Sequence, residues 1–217
     1  MTTKIIIFLT IVLFSTMSLS AQEVEKSAIS ISSVSISAGW YKPSMNYWNN
    51  TFLPTANATD RFNGSLIYGG DISFDLPSNL GVRAGAWYWG EQVNGKDGGA
   101  FNTLKVNFTG LSLGAFYKYR PGIFGIKPYL GVDGSCLIIQ DRYDITGSVI
   151  KKSGNDIVYS PFVGIEHVFN KNIVLGIEYG YNVGSYVQDV ETATGPSNAK
   201  VSIDGSKFQF KIGYKFP

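Results

Sequence analysis

Apolar residues recur at every second position through most of the chain, the period of a strand with one apolar face. Val34, Ile36, Ala38 and Trp40 alternate with Ser35, Ser37 and Gly39. The same alternation runs through 66–76, 80–88, 111–119, 130–138, 162–166, 173–183 and 208–216. Eight strands are therefore predicted. Most have about the 9–11 residues that a tilted strand needs to cross a bilayer. The fourth changes phase: Leu104, Val106 and Phe108 occupy even positions, whereas Leu111, Leu113 and Ala115 occupy odd ones. A bulge near Thr109-Gly110 would account for this, with the upper part of the strand standing outside the membrane.

The segments between strands alternate in length. Long ones are expected at 43–64, 90–102, 140–157 and 185–202, and short ones at 77–79, 120–127 and 169–172. A soluble sandwich gives no reason for this alternation. An outer-membrane barrel does, because its periplasmic turns are short and its extracellular loops long. The expected fold is all-β: an eight-stranded antiparallel up-and-down transmembrane β-barrel, preceded by a cleaved signal peptide. In the competing reading, a soluble lipocalin-like barrel, the same apolar set would point inward.

The start of the chain reads as an address. Lys4 precedes an apolar run from Ile5 to Phe14, and mostly small or polar residues lead to Ala21. That is a secretory signal pattern, and the run is shorter than the ~20 residues of a spanning helix. The expected division is residues 1–21 signal peptide, 22–28 a short periplasmic segment, and 29–217 the barrel. Cleavage after Ser20 is the alternative.

With the apolar set on lipid, the other set faces the lumen. It carries Asp71, Asp75, Asp133, Glu166 and Glu178 against Arg83, Lys118, Lys207, Lys211 and Lys215. An eight-stranded barrel is only wide enough for side chains to fill, so these charges are expected to pair there. Glu178 with Lys211 is one expected pair, and Arg83 with Asp71 and Asp75 another. Trp40, Tyr68, Tyr88 and Tyr181 should ring the outer membrane boundary, and Phe74, Tyr117, Tyr119, Tyr214 and Phe216 the inner one.

Composition narrows the function. Lys and Arg number 18 against 16 Asp and Glu, a net charge of +2, which is too small for an electrostatic nucleic-acid binder. The single Cys and single His exclude a disulfide framework and a His-rich metal site. Cys136 falls on the lipid face. His167 lies near a periplasmic turn, where an isolated histidine is structural more often than catalytic. Asp141, Asp144 and Asp156 share one expected loop but lack the spacing of a calcium loop. No catalytic residue, cofactor or metal is expected, and no enzymatic activity.

The signal-like start, the eight alternating segments and the aromatic last strand, 207–216, resemble the outer membrane protein β-barrel domain family. These are the OmpA-type and opacity-protein-type small barrels of Gram-negative bacteria. The resemblance implies an outer-membrane location, with lipid and the barrel assembly machinery as partners. Phe210, Ile212, Tyr214 and Phe216 would then form the C-terminal assembly signal, although Pro217 follows the last aromatic. Function is expected to be structural or adhesive, with the long loops meeting an extracellular ligand or host surface. Tyr47, Trp48, Phe52 and Phe101 are the candidate loop contacts. The alternatives are a narrow pore or conduit for small solutes or apolar molecules, and last a lipid-modifying enzyme.

Overall fold

A computed structural model describes residues 30–96, 101–119, 125–145, 148–192 and 195–216. The expected signal peptide and the 22–28 segment lie outside the described residues.

Eight strands close into one antiparallel barrel. In chain order they are β1 (Ser30–Pro43), β2 (Ser65–Asp75), β3 (Leu80–Asn94), β4 (Phe101–Lys118), β5 (Ile126–Ile145), β6 (Ser148–Phe169) and β7 (Ile173–Asn182), with β10 (Gly205–Lys215) last. β8 (Ser185–Thr192) and β9 (Gly195–Ser202) form a separate hairpin between β7 and β10. Around the wall each strand pairs with its chain neighbour, β7 pairs with β10, and β1 closes on β10. Closure leaves no free sheet edge within the membrane, as lipid requires. Short turns sit at one end; the one between β6 and β7 uses left-handed backbone at Asn170 and Lys171, with φ of 48° and 67°.

The apolar set faces outward. Leu113 is 71% exposed and Ile36 67%, and Leu66, Leu130, Val163, Phe210 and Ile212 are exposed as well. Trp40, Tyr68 and Tyr181 lie outward near one end, and Tyr117, Tyr119, Tyr214 and Phe216 near the other. Cys136 is also on the outer face. Exposed aliphatics between two aromatic rings are the surface a bilayer selects. The reading with an apolar lumen along the whole barrel is excluded.

The fourth strand corrects an expectation. β4 pairs with β3 without interruption, Thr109 opposite Tyr88 and Gly110 opposite Trp87. There is no bulge at Thr109-Gly110; the register shifts lie at Phe101/Thr103 and at Ile31/Ser33. Even-numbered residues face inward along the whole of β4. Leu104, Val106 and Phe108 are therefore fully buried inside, while Leu111 and Leu113 face out. The strand keeps its phase and its two faces exchange chemistry. In its lower part lipid bathes the outer face; in its upper part water does, and the apolar residues turn to the interior.

The long connections are corrected in the same way. β3 continues to Asn94, β4 starts at Phe101, and β5 and β6 run 20 and 22 residues. That is about twice what a membrane crossing needs. Most of 90–102 and 140–157 is strand, and 185–202 is the β8–β9 hairpin. The first connection holds a helical turn, Trp48–Phe52 followed by Leu53–Thr55.

The two halves of β4 should respond differently to substitution. Leu113→Arg, in the lipid belt, should cost about 2–4 kcal/mol if near the midplane. Phe108→Ala should cost about 3–5 kcal/mol through a cavity in the upper interior. Lys105→Ala, on the outer face above the belt, should be within about 0.5 kcal/mol of wild type. Urea titration of protein folded into lipid vesicles would read all three.

Candidate functional site in the barrel lumen

The membrane-level interior is built around Arg83. Its guanidinium forks onto two carboxylates at once. Nε and Nη2 donate to Asp133 at 2.9 and 2.6 Å, and Nη1 and Nη2 donate to Glu178 at 2.6 and 3.1 Å. The Arg83 guanidinium also lies 3.8 Å from the centre of the Phe162 ring. Tyr129 donates to Glu178 at 3.2 Å. Lys211 reaches Glu178 at 3.1 Å and Asp71 at 2.9 Å. Toward the periplasm, Lys118 lies 3.0 Å from Glu166 and 3.7 Å from Asp75.

Eight of the ten expected lumenal charges thus stand in two clusters, five around Arg83 and three around Lys118, and one partner assignment changes. Ser73 is opposite Arg83, as in-phase pairing requires. Arg83 nevertheless bonds Asp133 and Glu178 rather than its diagonal neighbours Asp71 and Asp75. A guanidinium spans a narrow lumen, so the far wall competes with the near one. Lys207 is buried close to this group without a direct ion pair among the described residues. Lys215 shares the inward phase at the periplasmic end, opposite Ser33, and has no ion pair among the described residues.

Above the charges the lumen turns apolar. Trp87, Trp89, Val93, Leu104, Phe108, Leu137, Ile139 and Val158 line it from the wall. Met45, Trp48, Leu53 and Phe62 enter from the first connection, and Tyr186, Val201 and Ile203 from the β8–β9 side. Gly110 is required here: a Cβ would stand 2.3 Å from the Trp87 ring. Trp89 donates to the Tyr41 carbonyl at 3.1 Å, and the Tyr41 hydroxyl donates to the Ile203 carbonyl. A two-stranded hairpin is marginal alone, and these contacts hold it in place.

The loop aromatics require a second correction. Trp48 is fully buried, and its Nε1 donates to the Tyr186 hydroxyl at 2.9 Å. Tyr47 and Phe52 are partly buried against the same core. The side chain of Phe101 lies outside the described residues. Trp48 therefore packs into the upper interior rather than presenting its ring at the surface. Nothing in its sequence neighbourhood marks this; only the change of face chemistry in β4 hints at an apolar interior above the membrane.

Asp141 is not in a solvated loop either. It is buried on β5, where it accepts from Tyr186 at 3.3 Å, and its Oδ1 has no partner. Burial pushes its carboxyl up to about 7, opposed only by the Tyr186 hydrogen bond. Lys152 is in register with it but makes no ion pair among the described residues. Asp141, Asp144 and Asp156 do not converge, and no group of metal-ligating side chains is found among the described residues. His167 sits at the periplasmic end with Nδ1 3.2 Å from the Gly125 carbonyl, away from the lumenal network. Phe210, Ile212, Tyr214 and Phe216 all face outward on the last strand or just past its end.

Arg83→Met leaves the buried Asp133 without its partner and Glu178 with only Lys211 and Tyr129, and should cost about 3–5 kcal/mol. The triple change Arg83→Met, Asp133→Asn, Glu178→Gln should recover most of it. Lys211→Met should cost less, because Glu178 keeps Arg83. Denaturation midpoints in vesicles would rank the three. A second prediction concerns Asp141. Its folded pKa is raised, so its contribution is complete below the ordinary carboxylate value and is lost as pH rises through about 7. Amide exchange in 185–202 should quicken between about pH 5 and pH 8 beyond the intrinsic rate change, and Asp141→Asn should remove that excess.

A family model described as the outer membrane protein beta-barrel domain matches residues 6–216. No curated protein matches the chain. Among solved structures, Neisserial surface protein A is similar with a TM-score of 0.54 and 18% identity, over 88% of this chain and 100% of that one. The outer membrane protein OprG from Pseudomonas aeruginosa gives a TM-score of 0.60 and 16% identity, over 87% of this chain and 98% of its own. A major outer membrane protein from Thermus thermophilus gives 0.53 and 15%, over 85% and 98%. At these identities the likeness speaks for the fold. The match along nearly the whole chain, on a closed barrel with lipid on its outer face, makes this protein a member of the outer membrane protein β-barrel domain family.

Proposed function

We propose that this outer-membrane protein is a closed, non-enzymatic surface barrel with a structural or adhesive role. The observation that carries the proposal is the Arg83 bridge to Asp133 and Glu178 across the lumen. The apolar plug around Trp48 and Tyr186 supports it as a second seal above the first. Between the seals and the periplasm lies a small cavity of about 40 Å³, bordered by Arg83, Lys118 and Lys211. That is room for water, not for a solute path.

On this reading the chain arrives by way of the signal at 1–21. Outward Phe210, Ile212, Tyr214 and Phe216 serve as the strand read by the barrel assembly machinery. Adhesion to an extracellular ligand or host surface falls to the raised rim rather than to Trp48. The pore reading is less well supported, because the apolar upper interior is filled by its own side chains.

Planar-bilayer recording of the refolded chain tests the proposal. Wild type should give no steady channel. Opening a channel should require loss of both seals, as in Arg83→Ala combined with Trp48→Ala. A large, steady conductance from wild type would reject the closed barrel and favour the pore.

A further inference from the structure

The outward wall above the lipid belt holds a groove of about 420 Å³. It is lined by Lys105 and Arg142 with the polar side chains of Asn107, Gln140 and Ser153, while Asp141 and Lys152, in register with each other on the inward phase, border it. Lys105 and Arg142 are directly opposite each other on β4 and β5, both exposed. Like charges facing across a strand pair are destabilising unless something neutralises them. No carboxylate among the described residues does so: neither Lys105 nor Arg142 forms an ion pair there. Asp141 borders the groove, but its carboxylate is buried and held by Tyr186. Asp144, two residues beyond Arg142, accepts from Asn102 at 3.4 Å instead.

The height of the groove selects the counter-charge. Ile138 and Leu111 are the last exposed aliphatics of the lipid belt on β5 and β4. Gln140 is two residues above Ile138 and Arg142 four, or ~7 and ~14 Å along the strand. With a strand tilt near 45° these become roughly 5 and 10 Å above the hydrocarbon edge, the first within the headgroup layer and the second just above it. Lys and Arg side chains can reach downward from the upper position. Tyr88, next to Tyr68 at the membrane boundary, donates to Asn107 Oδ1 at 2.9 Å. That bond leaves the Asn107 amide nitrogen to donate into the groove.

We propose that this groove binds the phosphate of an anionic lipid headgroup in the outer leaflet. Arg142 offers a planar fork that matches a phosphate, and Lys105 a second cation opposite it. Asn107, Gln140 and Ser153 supply polar contacts for the sugar or glycerol that carries the phosphate. The ligand relieves the cation–cation opposition, and the wall supplies a seat that moves with the barrel.

The test titrates the folded full chain in detergent with bis-phosphorylated lipid A, read by native mass spectrometry. The same glycolipid without phosphates should bind at least about tenfold more weakly. Lys105→Gln combined with Arg142→Gln should lose a similar factor while keeping the heat-modifiable gel mobility of a folded barrel. Lys171→Gln, which removes one positive charge at the periplasmic turn, should bind like wild type. Excess inorganic phosphate should not displace the lipid. Equal affinity for the dephosphorylated lipid would overturn the proposal. So would unchanged binding by the double variant, an equal loss in Lys171→Gln, or complete displacement by inorganic phosphate.

Discussion

A strand cannot change its side-chain period, but the medium outside a barrel wall changes from lipid to water as the wall rises. Every strand that spans both media must therefore exchange the chemistry of its two faces at one level and keep its phase. β4 does this between Leu111 and Phe108, and β5 between Ile138 and Gln140. Outside, Leu113 and Leu111 give way to Asn107 and Lys105. Inside, Asp133 and Ser135 give way to Leu137 and Ile139. The level at which both strands switch is the boundary of the membrane, written in the wall itself.

The exchange divides the interior into two compartments with different cohesion. At the membrane level, charged side chains fill a narrow lumen and satisfy one another. Such pairs contribute little net stability relative to an apolar filling of the same volume, because desolvation offsets their attraction. They do fix the register. A slip of one residue on β7 would push Glu178 into lipid and draw Ile177 inward, and the same slip on β3 would expose Arg83. Above the membrane, water outside allows an ordinary hydrophobic core inside. There the burial of Trp48, Trp89, Phe108 and Ile203 favours the folded state directly.

The membrane half of this fold is legible in the sequence because lipid makes its pattern strict. Leu175, Ile177 and Tyr179 leave one choice of face, and with the short turns they leave one topology. The upper half is less legible because two solutions produce the same string. A phase change after Phe108 reads equally as a bulge or as an inversion of the faces, and only the partner strand decides between them. Pairing rules find Ser73 opposite Arg83, but they do not see that a guanidinium crosses the lumen to Asp133. Trp48 is hard to place for a related reason. A tryptophan in a long connection is exposed only if no apolar chamber lies beneath it, and the chamber is built by Leu104, Ile139 and Val158 from three different strands.

The inversion also governs what the protein can show to its surroundings. The hairpin β8–β9 has too few strands to stand alone, so Tyr186, Val201 and Ile203 are committed to the interior. The hydrogen-bond chain from Trp48 through Tyr186 to Asp141 links the first connection, the hairpin and the wall. Aromatics that would serve as recognition anchors on a flexible loop are thus committed to the upper core. Part of the presented surface is the outer face of the tall β3–β6 wall, where Gln92, Lys105 and Arg142 share one row. That row cannot turn inward without reversing the core behind it. Its positive charge is thereby held at a fixed height above the lipid by the same packing that fills the upper interior.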